Sequence, residues 1–546
     1  MLRNRMSSAG WVGALMALGL AASPKRGEAC GGFFCAQIPV IQTGERILFG
    51  VDPDAQTVEA VIQISYQGAA PDFAWLLPLV SEPTEINVGS SAAFLIADQL
   101  TSPRFRVSYE RSSSCPVPAP SSGSMDAGAV FSADAGAGPG VTVLQRADVG
   151  PYESVVLSGT DPAAVRTWLV DNEFFVTDAM MDAVVPYLSQ GDVLLALKLK
   201  KESTTGDLQP IAVKITSDEP CIPIRLTAIA AQDDMEITAL VLSNHGRAIP
   251  TNYFHVEPNW VRLNWASGGA DYRQLIAAAA DEAGGNAFTT EFSGSTQIFS
   301  NTISNGSTDV LAMLRAQTTL GGLLQALVSA GLFSRPELSG ILTRGVSDEV
   351  LTGAGVDPAA FRSCPACWIG QLEAVMFDPG PIAADVEERI LAPDRRAQAL
   401  FDRYGTLTRL YTLLSPAEMS VDPIFQFDTS LPDVSNSHLA TIREICDSSG
   451  VVVERQLELE SGLKVLLGPD GRVVGSDNGA IPAALRIEQL AERRVVLDNT
   501  PTAGGPSAVS NREGRDCACA DLGTAGGLPM ASVLLALGML VARRRG

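Results

Sequence analysis

Histidine is almost missing from this chain of 546 residues: it occurs three times, as His245, His255 and His438. No two of them share the His-x-x-x-His spacing with which helical metal sites are built. His245, Glu257 and His255 are a loose metal-ligand grouping built on histidine, and a surface or internally satisfied role is the simpler expectation for each histidine. Basic residues are scarce too, 39 Lys and Arg against 61 Asp and Glu, for a formal net charge of -22. Phosphate-backbone binding needs clustered cations that displace counterions, so nucleic acid is excluded as a partner. A Gly-x-Ser-x-Gly elbow, a Walker loop and a dinucleotide fingerprint are all absent, and no cofactor is expected. No internal repeat is visible. Apolar residues make up 46% and charged residues 18%, too apolar for a disordered chain, and the length exceeds one ordinary core.

Long apolar runs are lacking except at the two ends. Arg3 and Arg5 precede an apolar stretch from about Gly10 to Ala22, and small residues stand before Cys30. These are the parts of a secretory signal over 1–29, with cleavage after Ala29. Gly27, Glu28, Lys25 and Arg26 depart from a lipobox, so lipid attachment at Cys30 is not expected. At the other end, Leu528–Ala542 is an apolar segment followed by Arg543, Arg544 and Arg545. About fifteen residues is short of the roughly 20 that cross a bilayer comfortably. The arginines would stay on the cytoplasmic side and leave the body outside. The order of Cys517 and Cys519, a short hydrophobic helix and an arginine cluster resembles the MYXO-CTERM sorting signal of exported proteins over 517–546. That resemblance implies removal of the helix and delivery to the cell surface, with the membrane and the export and sorting machinery as partners. Processing at Ala29 removes a net +3 and loss of everything after Cys519 a net +2, taking -22 to -27 for the mature body.

In an oxidising compartment the nine cysteines should form disulfides. Cys30 with Cys35, and Cys364 with Cys367, are close enough to be joined locally. Cys115, Cys221 and Cys446 compete for one further bridge, which sequence does not assign.

The body reads as α+β, with a largely antiparallel sheet in its N-terminal part, inserted helices, a helical middle and a short β-rich C-terminal part. The expected divisions are 30–300 with a flexible Ser-, Pro-, Ala- and Gly-rich insertion over 112–140, a mainly helical 301–405, a β-rich 406–498 and a polar tether over 499–516. Alternation from Val58 to Tyr66 predicts a half-buried strand. Asp161-Pro162 starts a helix that places Val165, Trp168 and Leu169 on one face. Tyr272, Leu275, Ile276 and Ala279 define another, closed by Gly284-Gly285. Strands are expected over Asp192–Lys200, Arg225–Ala230 and Met235–Leu242, and a hairpin over Val451–Val474 turning at Gly468-Pro-Asp-Gly471.

Several strings resemble the bacterial domain of unknown function 2330 family (DUF2330): Ala29-Cys-Gly-Gly-Phe-Phe-Cys35, Phe73-Ala-Trp75-Leu-Leu-Pro78, Cys221-Ile-Pro-Ile-Arg-Leu-Thr-Ala228, Glu282-Ala-Gly-Gly-Asn-Ala-Phe288 and Ser415-Pro-Ala-Glu-Met419 with Asp422-Pro423. The resemblance spans about 30–436 and implies an exported protein with one extended unit. It brings no activity with it.

Cys364-Pro-Ala-Cys367 has the spacing of a thiol–disulfide exchange pair, but the Gly- and Asp-containing stretch before it is not strand-like, and a structural staple is expected. Asp52-Pro-Asp54, and Asp470 with Asp477, are loose calcium-like pairs that turn formation explains more simply. Two readings of function follow. The first is a non-enzymatic exported binding or envelope-structural module. The second is a secreted hydrolase whose site is assembled from Glu282, Glu291, Glu418 and Asp422, which would have to converge around a cleft.

Overall fold

Residues 41–67, 74–111, 142–200, 208–304, 309–474 and 481–500 are described by the structure, a computed structural model. The chain divides into two units, Met1–Pro501 and Thr502–Gly546, and every described residue belongs to the first. The expected signal, the 112–140 insertion, the apolar segment Leu528–Ala542 and the sorting residues Cys517, Cys519 and Arg543 to Arg545 lie outside the described residues, as do Cys30, Cys35 and Cys115. Among the described residues no helix is long and apolar enough to cross a membrane.

The described chain begins with strand β1 (Ile41–Asp52), which turns into β2 (Thr57–Gln67). Next come β3 (Ala74–Leu79), β4 (Glu85–Val88), helix α1 (Ser91–Thr101) and β5 (Arg104–Arg111). Ser90 starts α1 by accepting the Ala93 N–H at 3.1 Å, which satisfies an amide the helix itself leaves unpaired. After β6 (Thr142–Val149) and β7 (Tyr152–Ser158) come α2 (Pro162–Asp171), α3 (Asp178–Gln190), β8 (Val193–Leu199) and β9 (Ile211–Thr216). A single turn, α4 (Ile224–Thr227), precedes β10 (Ala231–Ser243), β11 (Arg247–Pro250), β12 (Phe254–Pro258), α5 (Tyr272–Glu282) and β13 (Ala287–Ser295). Helices occupy most of Asp309–Arg403 around a core of their own. The chain then adds β14 (Thr406–Leu414), β15 (Phe425–Asp428), β16 (Ser437–Cys446), β17 (Val452–Leu459), β18 (Lys464–Leu466), β19 (Ala484–Gln489) and β20 (Arg494–Asp498).

Ten strands form one mixed, mostly antiparallel sheet in the order β20-β19-β12-β13-β14-β10-β1-β2-β9-β4, with β1–β10 and β12–β13 parallel. This α+β arrangement is the expected class. β14 returns from beyond the helical region to lie between β13 and β10. One face of this sheet packs on the four-stranded sheet β3-β8-β7-β6: Ile47, Phe49, Ile237 and Leu410 share a core with Trp75, Leu195 and Leu197. α2 and α3 cover the far side of that second sheet, where Val165, Trp168 and Leu169 meet Leu194 and Ala196. β8 is therefore buried on both faces, which accounts for its near-continuous apolar run. α1 and the helix Ala392–Arg403 cover part of the other face of the large sheet, around Leu48, Leu240 and Leu407.

Two expectations are corrected. Arg225–Ala230 does not form a strand; α4 occupies its first half and a turn the rest. Ile224 and Leu226 alternate in sequence, but they serve two different cores on either side of a helical turn. The hairpin of the C-terminal part turns at 460–463, where Gly462 takes φ +79°, not at Gly468–Gly471. Gly471, at φ +80°, closes a second turn beyond β18.

In the helical region, Gly380–Val386 runs through a π-turn, Glu387–Leu391, into Ala392–Arg403. Pro393 has no N–H for the Arg389 carbonyl four residues earlier. Gln209 Nε2 donates to that carbonyl at 2.6 Å instead, and its Oε1 accepts Arg389 Nε at 2.8 Å.

Candidate functional site

Along β14, residues 407, 409, 411 and 413 point to one face of the large sheet. Leu407 packs under α1, and Tyr411 and Leu413 pack under α5 with Ile276 and Ala277. Between these apolar patches stands Arg409, whose side chain is 6% exposed. A buried guanidinium is costly unless charge and hydrogen bonds answer it. Here Nη1 donates to Asp98 on α1 at 2.7 Å and Nε donates to Glu291 on β13. Asp98 also holds Arg46 on β1 at 2.8 Å. The Tyr272 hydroxyl on α5 donates to the other Glu291 oxygen at 2.6 Å.

Glu291 reaches this face because β13 bulges. Thr290 pairs with Leu410 and Phe292 with Arg409, so Glu291 is the extra residue, turned toward the guanidinium. Burial pushes its carboxyl up, against the pull of Arg409 and the Tyr272 hydroxyl. Burial works against the Arg409 charge, but Glu291 and Asp98 more than offset it and hold its pKa above the usual value. Tyr272 is raised by burial and by Glu291. The result is a fixed internal charge network. Tyr272 links it to an aromatic cluster, stacking on Tyr411 (5.9 Å) and Trp260 (6.3 Å). His438 joins that cluster against Trp260 (4.5 Å) and Phe105 (5.4 Å).

The other three carboxylates named from sequence are also engaged. Glu282 accepts the Ala483 and Ala484 N–H groups at 2.7 and 2.8 Å and pairs with Arg262 at 3.8 Å. Glu418 accepts Ser415 N–H at 2.7 Å and lies against Gly285, whose φ of +85° closes α5. Burial raises its pKa, and Asp281 adds to the rise. Asp422 accepts Arg225 N–H at 2.9 Å and is raised by burial.

Asp422 belongs to a second buried polar cluster. Glu45, 3% exposed, accepts from Gln42 Nε2 and Thr227 Oγ1, both at 3.2 Å, and burial raises it to about 7. Cys221 is a free thiol there, pushed far up by burial and by Asp422. Of the three cysteines in competition, Cys446 is disulfide-bonded and Cys221 is not. Cys364 and Cys367 are joined to each other.

The grouping of His245, Glu257 and His255 does not assemble. His255 is buried beside Arg247, 3.3 Å from Nη2, and 3.8 Å from Glu488, and burial lowers its pKa. His245 instead lies 3.5 Å from Asp54.

A cleft between the helix Ala392–Arg403 and the β2–β9–β4 edge, lined by Glu59, Val61, Lys214, Arg396 and Leu400, holds about 50 Å³. Another, under α5 beside Phe288 and Thr412, holds about 10 Å³. Small-molecule sites occupy roughly 300–1,000 Å³, so each is room for a few waters at most. None of the four carboxylates lines either.

Sequence reading missed Arg409, Asp98, Arg46 and Tyr272. The available signal was Arg409 itself, a lone charge in the run Leu407-Thr-Arg-Leu-Tyr-Thr-Leu-Leu414.

Fold and site thus define an α+β protein with a fixed internal charge network spanning the middle of its largest sheet. A family profile described as "Uncharacterized protein conserved in bacteria (DUF2330)" matches residues 26–305, just over half of the sequence, and the chain belongs to that family. The match ends before β14, which supplies Arg409. No curated protein and no solved structure matches the chain.

Proposed function

We propose that the chain is a non-enzymatic binding or envelope-structural module that works outside the cytoplasm, at the cell surface or anchored to the membrane. The observation behind the non-enzymatic part is the fate of Glu282, Glu291, Glu418 and Asp422. Each accepts hydrogen bonds from inside the fold, and Glu291 is neutralised by Arg409. A general acid or base needs a proton route to substrate and a place for it to sit.

Export is supported by the basic and apolar segment before Cys30, and surface delivery by the likeness of 517–546 to the MYXO-CTERM signal. In this reading the apolar tail inserts first in the inner membrane and is then retained as an anchor or removed by the sorting machinery. The non-enzymatic part is tested by incubating full-length protein with panels of glycoside, ester and peptide substrates. No turnover above that of a matched Glu291→Gln, Glu418→Gln double variant is expected. Turnover that this variant abolishes would instead establish the secreted hydrolase.

A further inference from the structure

β1 and β10 are parallel neighbours in register, with Gly50 opposite Leu242, and they end nearly together at Asp52 and Ser243. Their following turns therefore leave the sheet side by side. The first turn contributes Asp52 and Asp54, and the second contributes His245. One ligating atom from each lies within 4.8 Å of the other two, and His245 Nε2 is 3.5 Å from Asp54 Oδ2.

In sequence, Asp52-Pro-Asp54 is an oxygen-only pair of the kind that turns use. The imidazole, from a loop some 190 residues further on, changes its chemistry: calcium and magnesium take oxygen ligands, whereas a mixed nitrogen and oxygen set suits zinc and its neighbours. Neither carboxylate has a Lys or Arg ion-pair partner among the described residues. Two of the three groups are already oriented. Asp52 Oδ1 accepts Ala55 N–H at 3.0 Å, which fixes that carboxylate as a backbone donor fixes a metal ligand. The His245 amide donates to Ser243 Oγ at 2.9 Å, and its ring packs near Phe427 with centroids 6.4 Å apart. Asp54 is the exposed member, its side chain 87% open to solvent. Zinc bonds of about 2.0–2.2 Å set neighbouring ligand atoms roughly 3–4 Å apart, and the 3.5 Å between His245 Nε2 and Asp54 Oδ2 falls within that range.

We propose that Asp52, Asp54 and His245 form a site for a divalent transition cation of the zinc class, which clamps the β1–β2 turn to the β10–β11 turn and keeps open positions for water. The test is titration of tag-free, metal-stripped, full-length protein with Zn²⁺ and separately with Ca²⁺, by calorimetry, for the wild type and the Asp54→Asn and His245→Ala variants. Both substitutions fall on turns, and circular dichroism confirms that each variant is folded. One Zn²⁺ per chain is expected, weakened at least about tenfold by either substitution. Ca²⁺ should bind more weakly than Zn²⁺. The proposal is overturned if the wild type takes up no Zn²⁺, or if both variants bind it as the wild type does, which would place the ion elsewhere. Ca²⁺ bound more tightly than Zn²⁺ and indifferent to His245→Ala would overturn the assigned cation class.

Discussion

Arg409 and Glu291 face each other across a β-bulge, both side chains almost fully buried, with Asp98 completing the charge balance from α1. Three distant parts of the chain, the first helix, the strand after α5 and the strand after the helical region, are tied together at this one guanidinium. The bulge makes the pairing possible, because a regular β13 would leave no residue between those opposite Leu410 and Arg409.

Replacing Arg409 by Met leaves Glu291 buried without its counter-charge. A loss of about 3–5 kcal/mol is expected, the range for breaking one side of a buried pair. Adding Glu291→Gln to Arg409→Met should recover a large part of that loss. Urea unfolding of the wild type, the two single variants and the double variant measures it, and strictly additive effects would show that the two groups do not interact.

Glu45 sets a pH dependence. Its folded value, about 7, lies above the ordinary 4.5, so the fold prefers the protonated carboxyl. That contribution is complete below about pH 4.5 and is lost as pH rises through 7. A difference of that size corresponds to about 3 kcal/mol. Asp394, raised to about 6 by burial, acts in the same direction. Unfolding free energies measured from pH 4.5 to 8 should fall more steeply for the wild type than for Glu45→Gln. Parallel profiles would remove Glu45 as the cause.

Cys221 should resist alkylation. Burial and the surrounding Asp422, Asp192 and Glu219 suppress its thiolate, the reactive form. In the folded protein at pH 8, iodoacetamide and peptide mapping should find Cys221 unmodified. It should label once the chain is denatured, and Cys364 and Cys367 only after reduction. Rapid labelling of native Cys221 would contradict the electrostatic shielding.

Gln209 bonds both the carbonyl and Nε of Arg389, four residues before Pro393, which has no N–H to offer. Gln209→Ala removes both of its buried hydrogen bonds to Arg389, one to the carbonyl and one from Nε, with an expected cost of about 1–3 kcal/mol. Thermal unfolding reads it. A variant as stable as the wild type would mean that water replaces the side chain without loss.

Local pattern revealed most of the individual elements. The alternation of Val58, Ala60 and Ile62 is β2, and Val165, Trp168 and Leu169 are the buried face of α2. Period alone could not show that β8 is covered on both sides: Leu194 and Ala196 at its even-numbered positions are apolar too, and only the covering helices give them a purpose. Arg225–Ala230 misled because alternation in sequence was produced by two separate cores. The site was the least visible part. Glu291 stood out as a carboxylate, but its role depends on a bulge and on a strand more than a hundred residues later. Asp54 and His245 likewise depend on parallel pairing that no local pattern records.

The most direct check of the proposed function is fractionation of the source bacterium, with mass mapping of both ends of the recovered chain. The expected product begins at Cys30 and is found outside the cytoplasm, at the surface or in the envelope. Intact chain beginning at Met1 and confined to the cytoplasm would contradict it.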